Sequence, residues 1–529
     1  MNIKVPDRSL IAEIIYLTYI AVMVLARTAG LYEGQTLYNV ALVVGLLLFI
    51  CKIVVTKHSI KEYVAMSLFM VVALLVYFAS GEKGLIVCFS MMLGMKGVSV
   101  SKVFKVSALV AGVVIVVKIF LGTFGLVREV YFPIERTGVG LMLRHGLGYA
   151  HPNTLQMNVL ILSMLVVYLI TSAQRYAEKE GRVTKKESML GLLLISIIVF
   201  ALNLFIHRYS GSRTGVLACA VFLIFNLWLY QAGRIRLFEK VILYAEYPFV
   251  SAIAIFLPFL LKGNLFDKVD NAVFQTRLSL ARGFWEGNKL TLFGQRLVRP
   301  ESWEVPYGID MGQLYLLLQL GIVAFIVMTI ITMFFVHRAI GKNMLPELTF
   351  FTGMMVIDIW EPLMYNLSFK NFLFVFFGKM LFDLLRDRET VEETGETYKK
   401  WLTAAMAKRE VIAALVGVVA CVCVVIAYRH MVPEPEALYG IREQDVYSAE
   451  YIEDTEYLTE SDIDRIESSG DIVMDYADEK TPVYKYGTDI AIDEYNRRAM
   501  NMGVWGAAFV MTCMNLVLSS GAKYDKKQE

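Results

Sequence analysis

The chain reads as long apolar runs separated by short polar stretches. A helix needs ~20 mostly apolar residues to cross the hydrocarbon core of a bilayer. About fourteen runs qualify: 10–26, 37–56, 62–80, 84–97, 103–125, 154–172, 188–206, 215–230, 241–261, 311–335, 346–366, 369–384, 410–428 and 499–519. Those at 84–97 and 215–230 are short for a crossing. None has the period-2 alternation of a barrel strand, and backbone groups in lipid must bond within their own segment. The pattern therefore predicts an all-α, polytopic integral membrane protein with about fourteen transmembrane helices. Lys4 and Arg8 precede the first run and no small-residue cleavage site follows it, so it reads as a spanning helix and not as a removed leader.

Basic residues in short loops predict orientation. With the N-terminus cytoplasmic, loops 57–61, 97–102, 173–187, 231–240, 336–345 and 385–409 lie inside, and each carries Lys or Arg. An even helix number then places both termini in the cytoplasm. Loops 126–153, 207–214, 262–310 and 429–498 face outward, and 262–310, between the ninth and tenth spans, is the large extracytoplasmic loop. The domain organisation expected is a twelve-helix core over 1–385, a cytoplasmic linker over 386–409, and a two-helix appendage over 410–529 carrying an outer domain at 429–498. That outer domain holds nineteen acids against seven Lys and Arg. Ser461-Asp462-Ile463-Asp464 in it has the chemistry to cap a short helix.

Composition agrees with the membrane class: 57% of the 529 residues are hydrophobic and the mean hydropathy is +0.55. The net charge of +2 hides the acidic outer segment. All six cysteines fall in apolar runs and read as small buried hydrophobes. The six histidines are scattered, so no metal site is expected. No Walker loop or dinucleotide fingerprint is present, so no cofactor and no nucleic-acid partner are expected.

The outer loops break the positive-inside rule. Arg136 and Arg144 lie in 126–153, Arg208 and Arg213 in 207–214, Arg277 and Arg282 in 262–310. Guanidinium presents paired donors to two oxygens, so a set of outer arginines suits a phosphate or diphosphate. Pairing with nearby acids such as Glu129 and Asp267 is the alternative for any one of them. Arg144–Asn153 is polar and glycine-bearing and runs into an apolar helix. Asn153 is a strong cap and Pro152 fixes the approach to the helix, whereas His151 has no such explanation and is a candidate general base. Arg277, Ala281 and Trp285 share a face at i, i+4 spacing, which predicts an amphipathic interfacial helix. Asp358 and Glu361 lie in the outer part of an apolar run, either as partners of the arginines or as the base.

With these residues in view, the chain resembles the O-antigen polymerase and O-antigen ligase superfamily, most closely the Wzy-type polysaccharide polymerases. The residues that carry the resemblance are Gly146–Asn153 before a helix, Ser212-Arg213-Thr214-Gly215 at a helix head, Arg277 with Trp285 followed by Leu292-Phe293-Gly294, Gly308-Ile309-Asp310 before Leu314–Leu318 and Gly321, and Glu361 with Asn366. It covers about residues 1–385. Asp310 is followed by Met311, where the family often has asparagine. The resemblance implies glycosyl transfer from a polyprenyl-diphosphate-linked oligosaccharide on the outer face of the bacterial cytoplasmic membrane, with no metal required. It implies His151, Glu361 or Asp358 in catalysis, and Arg144, Arg213, Arg277, Arg136, Arg208, Arg282, Asn153 and Asp310 on the diphosphate or sugar. Partners implied are the lipid-linked oligosaccharide, membrane lipids and a chain-length regulator. A ligase of the same superfamily and a polysaccharide or lipid flippase are the alternatives. The flippase predicts mid-membrane charges and broken helices.

Overall fold

The structure, a computed structural model, describes residues 8–127, 129, 131–136, 140–300, 308–385, 408–434, 439–442, 451–453, 472–478, 481–486 and 488–525. Arg128, the linker 386–407, Ser461–Asp464 and the side chain of Arg136 lie outside what is described. In chain order the helices are α1 (Arg8–Thr28), α2 (Thr36–Val55), α3 (Ile60–Ser80), α4 (Gly84–Leu93), α5 (Val100–Thr123), α6 (Pro152–Lys179), α7 (Lys185–Ser210), α8 (Arg213–Ala232) and α9 (Leu237–Leu260). There follow α10 (Gly263–Val269), α11 (Arg277–Gly287), α12 (Gly312–Leu314), α13 (Ile322–Gly341), α14 (Leu345–Asp358), α15 (Leu373–Leu385), α16 (Lys408–Met431) and α17 (Thr488–Asp525).

Among the described residues nine helices are long and apolar enough to cross a membrane: α1, α2, α3, α5, α6, α7, α8, α9 and α13. This is a multi-pass membrane protein. Large apolar side chains on α2 and α3, such as Val43, Leu47, Val64 and Leu68, are exposed, as a lipid solvent allows. The helix α6 is the most enclosed, with 72% of its most apolar window buried.

Four of the expected spans take another form. The run at 84–97 yields α4, ten residues long and buried along nearly its whole length. At 1.5 Å per residue it is ~15 Å long, half a bilayer core. The run at 311–335 is interrupted: α12 passes into a π turn at Tyr315–Gln319, and α13 starts only after Gly321. The first amides of α13 are met by loop carbonyls, Ile322 N–H donating to Thr291 O at 3.0 Å and Val323 N–H to Leu292 O at 3.0 Å. The runs at 346–366 and 369–384 give α14 and α15, of 14 and 13 residues, joined by a 3₁₀ turn at Pro362–Met364 and a loop to Phe372. Apolar composition reports burial, and these segments are buried in protein.

The chain divides into two compact units. One comprises Met1–Val114, Asn158–Asn203 and Arg213–Thr397; the other comprises Ile115–Met157, Leu204–Ser212 and Tyr398–Glu529. Ile115–Met157 and Leu204–Ser212 group with the C-terminal segment.

In the first unit α4 sets the loop after α14. Gly84 approaches this loop so closely that a Cβ there would lie 2.0 Å from Tyr365 O. Cys88 Sγ lies 3.9 Å from Met364 O, and Asn371 Nδ2 donates to Met364 O at 2.9 Å.

In the second unit α16 packs along α17. Strands β1 (Tyr131–Arg136) and β2 (Gly140–His145) form an antiparallel hairpin with Tyr131 opposite His145. The acidic segment contains β3 (Tyr439–Arg442), β4 (Tyr451–Glu453), β5 (Ile472–Asp478) and β6 (Thr481–Tyr486), antiparallel in the order β4-β3-β6-β5. The all-α expectation holds for the spanning helices and gives way here, where residues such as Ile472-Val473 and Val483-Tyr484 favour a pleated surface.

Replacing Gly84 by alanine is expected to force the α4–Tyr365 backbones apart and destabilise the protein by about 1–3 kcal/mol. A thermal midpoint in detergent equal to that of the wild type would refute this close packing.

Candidate functional site

The sequence-predicted residues fall into one set in each unit. In the first unit the centre is Arg277, the first residue of α11. A π turn at Asp270–Phe274 precedes it, followed by Gln275 and Thr276, both in left-handed conformations at φ 52° and 68°. Such strain persists only where surroundings enforce it. Asp270 does so: its carboxylate accepts from Leu278 N–H at 2.9 Å, from Ser279 N–H at 3.0 Å and from the Ser279 hydroxyl. It satisfies amides that a helix start leaves open, and as an anion it suits the positive end of α11. Leu278, Ala281 and Phe284 are the buried stripe of α11, a face one residue round from the expected Arg277–Ala281–Trp285 line.

Arg277 is thereby aimed at three segments. Its Nε donates to Trp360 O at 3.0 Å and lies 3.3 Å from Asp310 Oδ2. Its Nη1 donates to Phe274 O at 3.4 Å, and its Nη2 lies 3.8 Å from Glu361 Oε1. The side chains of Arg277 and Glu361 are 11% and 14% exposed, that of Asp310 40%. Desolvation raises the Asp310 carboxyl and the Arg277 charge draws it back down. The arrangement is a mostly buried guanidinium with one open carboxylate and one covered one.

Asp358 does not join this group by any contact with Arg277. It is fully buried; its Oδ2 accepts from Gln313 Nε2 at 2.5 Å, and Gln313 also donates to Tyr365 Oη at 3.2 Å. Its contacts are those of a polar tie between α12 and the end of α14. Arg282 donates to Pro258 O at 2.6 Å and Leu261 O at 3.3 Å, with its guanidinium 3.9 Å from the Phe266 ring centroid. It caps the last turn of α9, which accounts for an arginine at this position. Arg213 opens α8 and is exposed.

In the second unit Arg144 is buried, its Nε donating to Ser210 O at 2.6 Å and its Nη2 to Asn153 Oδ1 at 2.5 Å. The helix α6 starts at Pro152, so the capping residue is His151 and not Asn153: Asn153 N–H donates to His151 Nδ1 at 3.1 Å. His151 now has the structural explanation it lacked. Burial around the ring and the Arg144 charge both lower its pKa, so it is neutral, with the proton on Nε2 and its acceptor nitrogen already engaged. Gly148 takes φ 82°, and a Cβ on it would lie 2.5 Å from Lys118 O, which explains the glycine-bearing approach. Arg208 pairs with Asp493 at 3.0 Å, and Arg136 stands opposite Gly140 in the last pair of the hairpin before 137–139.

Two groups escaped the sequence reading. The first is His145, buried between Glu129 (3.0 Å) and Glu494 (2.7 Å). Burial alone would lower its pKa, but the two carboxylates outweigh this and raise it to about 9. Arg497 adds contacts to Glu494 at 2.9 Å and to Leu143 O at 3.0 Å, so β2 is bound to the start of α17 through charge. The second is Lys370 in the first unit, 9% exposed in the loop before α15. A lysine at the margin of an apolar run was its available signal.

No family model, curated protein or solved structure matches the chain.

Because the folded-state pKa of His145 lies above that of a free imidazole (~6.5), its stabilisation is complete below pH ~6.5 and is lost as pH rises through about 9. Hydrogen exchange of peptides covering 140–149 and 488–500, corrected for intrinsic rate, is expected to accelerate across that window. The acceleration should be blunted in Glu494→Gln. Protection that is flat from pH 6 to 9.5 would refute a buried imidazolium.

Proposed function

We propose that this membrane protein is a glycosyltransferase of the Wzy type, which joins polyprenyl-diphosphate-linked oligosaccharide repeat units into a polysaccharide on the outer face of the bacterial cytoplasmic membrane. The observation that carries the reading is the Arg277–Asp310–Glu361 group, drawn from three separated segments onto one guanidinium. Two of its members come from stretches by which the chain resembles that superfamily, and Glu361 from a third.

In this reading an acceptor hydroxyl oxygen attacks the anomeric carbon of the donor sugar. The carbon–oxygen bond to the diphosphate breaks and its electron pair leaves with the diphosphate. The hydroxyl proton passes to a carboxylate, and Glu361 is the better base: its side chain sits beside the guanidinium, whereas the acceptor nitrogen of His151 is committed to a backbone amide. The diphosphate gains charge as it leaves, so Arg277 favours the transition state over the ground state. Asp310, the more exposed carboxylate, holds the guanidinium until substrate arrives. Arg282 and Arg208 are kept as structural residues, since each already has its partners.

One observation favours a second reading, a lipid or polysaccharide flippase: the chain is broken at Gln319–Ile322 between the π turn and α13, as in the discontinuous helices of transporters.

Purified protein in liposomes, given lipid-linked repeat units alone, is expected to produce a ladder of lengthening glycans. Arg277→Ala and Glu361→Gln, at wild-type expression, should lower the rate by ~10²–10³-fold. Undiminished ladders from both variants would dismiss this site. A single transfer product without a ladder would assign a ligase, and movement of lipid across the bilayer with no new glycosidic bond would assign the flippase.

A further inference from the structure

The first unit contains a recess that none of the residues discussed for glycosyl transfer lines. Its polar wall is Arg27, Thr28, Asn158, Ser368 and Lys370, and the rest is apolar. The recess is small and open to solvent at its mouth. Two cations line it and no carboxylate does, among the described residues.

The two cations are poorly compensated. Arg27 donates through Nη1 to Leu31 O at 2.6 Å and lies 5.1 Å from the Tyr38 ring centroid, while its Nε is buried with no hydrogen-bond partner. The Lys370 side chain is nine-tenths buried, and its ammonium makes no hydrogen bond or ion pair among the described residues. Glu33 and Glu361 act on these cations from outside the recess, and each is engaged elsewhere, Glu33 by Lys83 and Glu361 by Arg277. Buried charges are normally paired. Burial and the Arg27 charge lower the Lys370 ammonium to about 7 while Glu361 acts against them, so an anion entering the shared space would keep this group charged.

The backbone presents Lys370 at a strained position. Phe369 adopts φ 55°, which is unusual for a bulky residue, and its ring packs edge-on to Tyr19 with centroids 5.8 Å apart. Asn371 Nδ2 anchors the next residue to Met364 O. Strain of this kind persists where surrounding structure over-determines it, and it clusters at ligand clamps.

We propose that the Arg27–Lys370 recess is a binding site for a phosphoryl anion, with Lys370 as its point charge and Arg27 supplying guanidinium donors. The anion is either the head of a diphosphate-bearing membrane lipid or free inorganic diphosphate. Thr28, Asn158 and Ser368 complete the polar rim, with the Asn158 amide donating to Thr28 O at 3.2 Å and the Ser368 hydroxyl to Leu363 O at 3.1 Å.

The test uses the full chain in nanodiscs of phosphatidylcholine. In one arm inorganic diphosphate is titrated by calorimetry. In the other, nanodiscs doped with a polyprenyl diphosphate are examined by native mass spectrometry for retained lipid. Binding in one arm identifies the source. Lys370→Met is expected to weaken binding at least roughly tenfold, and Lys370→Arg to hold it within about threefold, since the charge is kept. No binding in either arm, or binding by Lys370→Met equal to wild type, would overturn the site. If Lys370→Met does not fold, wild-type protein is photolabelled with a diazirine-bearing polyprenyl diphosphate. Label on residues 24–28 or 368–372 supports the site and label confined elsewhere overturns it. These readouts involve no glycosyl transfer, so binding without any polymer would sink the proposed function and leave this site standing.

Discussion

A guanidinium in an apolar protein has to be solvated by the protein itself, and the first unit is arranged around that requirement at Arg277. Insertion scales put such a charge at ~3 kcal/mol toward the bilayer centre. The carbonyls of Trp360 and Phe274 and the carboxylates of Asp310 and Glu361 replace its water. They come from three pieces of chain, so holding the charge also holds the π turn before α11, the approach to α12 and the end of α14. Asp270 enforces the strained turn that delivers the arginine, and Gly84 lets α4 support the loop beyond Glu361. Loss of the central charge would leave two carboxylates facing each other, which ties local stability to the chemistry proposed there.

The length of the apolar runs made legible the nine helices that, among the described residues, are long and apolar enough to cross a membrane. It overcounted where apolar residues face protein. The sequence of α4 is as apolar as that of a span, but its ten residues are buried among neighbouring helices. The break at Gly321 was foreshadowed only by a lone glycine, which a helical pattern tolerates. The sheet of the acidic segment was hidden by charge: nineteen acids dominate the reading, while the short Val-, Ile- and Tyr-bearing strands carry little signal of their own.

The site was legible as residue types and less so as partnerships. The arginines that the sequence assigns to outer loops needed acceptors, which was foreseen; which acceptors were chosen depended on tertiary geometry. Arg282 found helix-end carbonyls, Arg208 found Asp493, and Arg277 gathered two carboxylates. His151 looked chemically free because Asn153 was the better cap by statistics, yet the helix began two residues earlier and used the histidine. Arg27 and Lys370 escaped because each sits at the margin of an apolar run, where a basic residue reads as an interfacial anchor.

The start of α13 has an electrostatic consequence. A helix N-terminus ordinarily offers bare amides and a partial positive charge to anions. Here Ile322 and Val323 already donate to Thr291 and Leu292 carbonyls, so the field at this break is largely quenched by the protein's own dipoles. At this break an anion would therefore be met by side-chain cations and not by these two amides. Such recognition weakens as salt screens it and yields to a lysine or arginine that changes rotamer, which makes release as much a property of the design as capture.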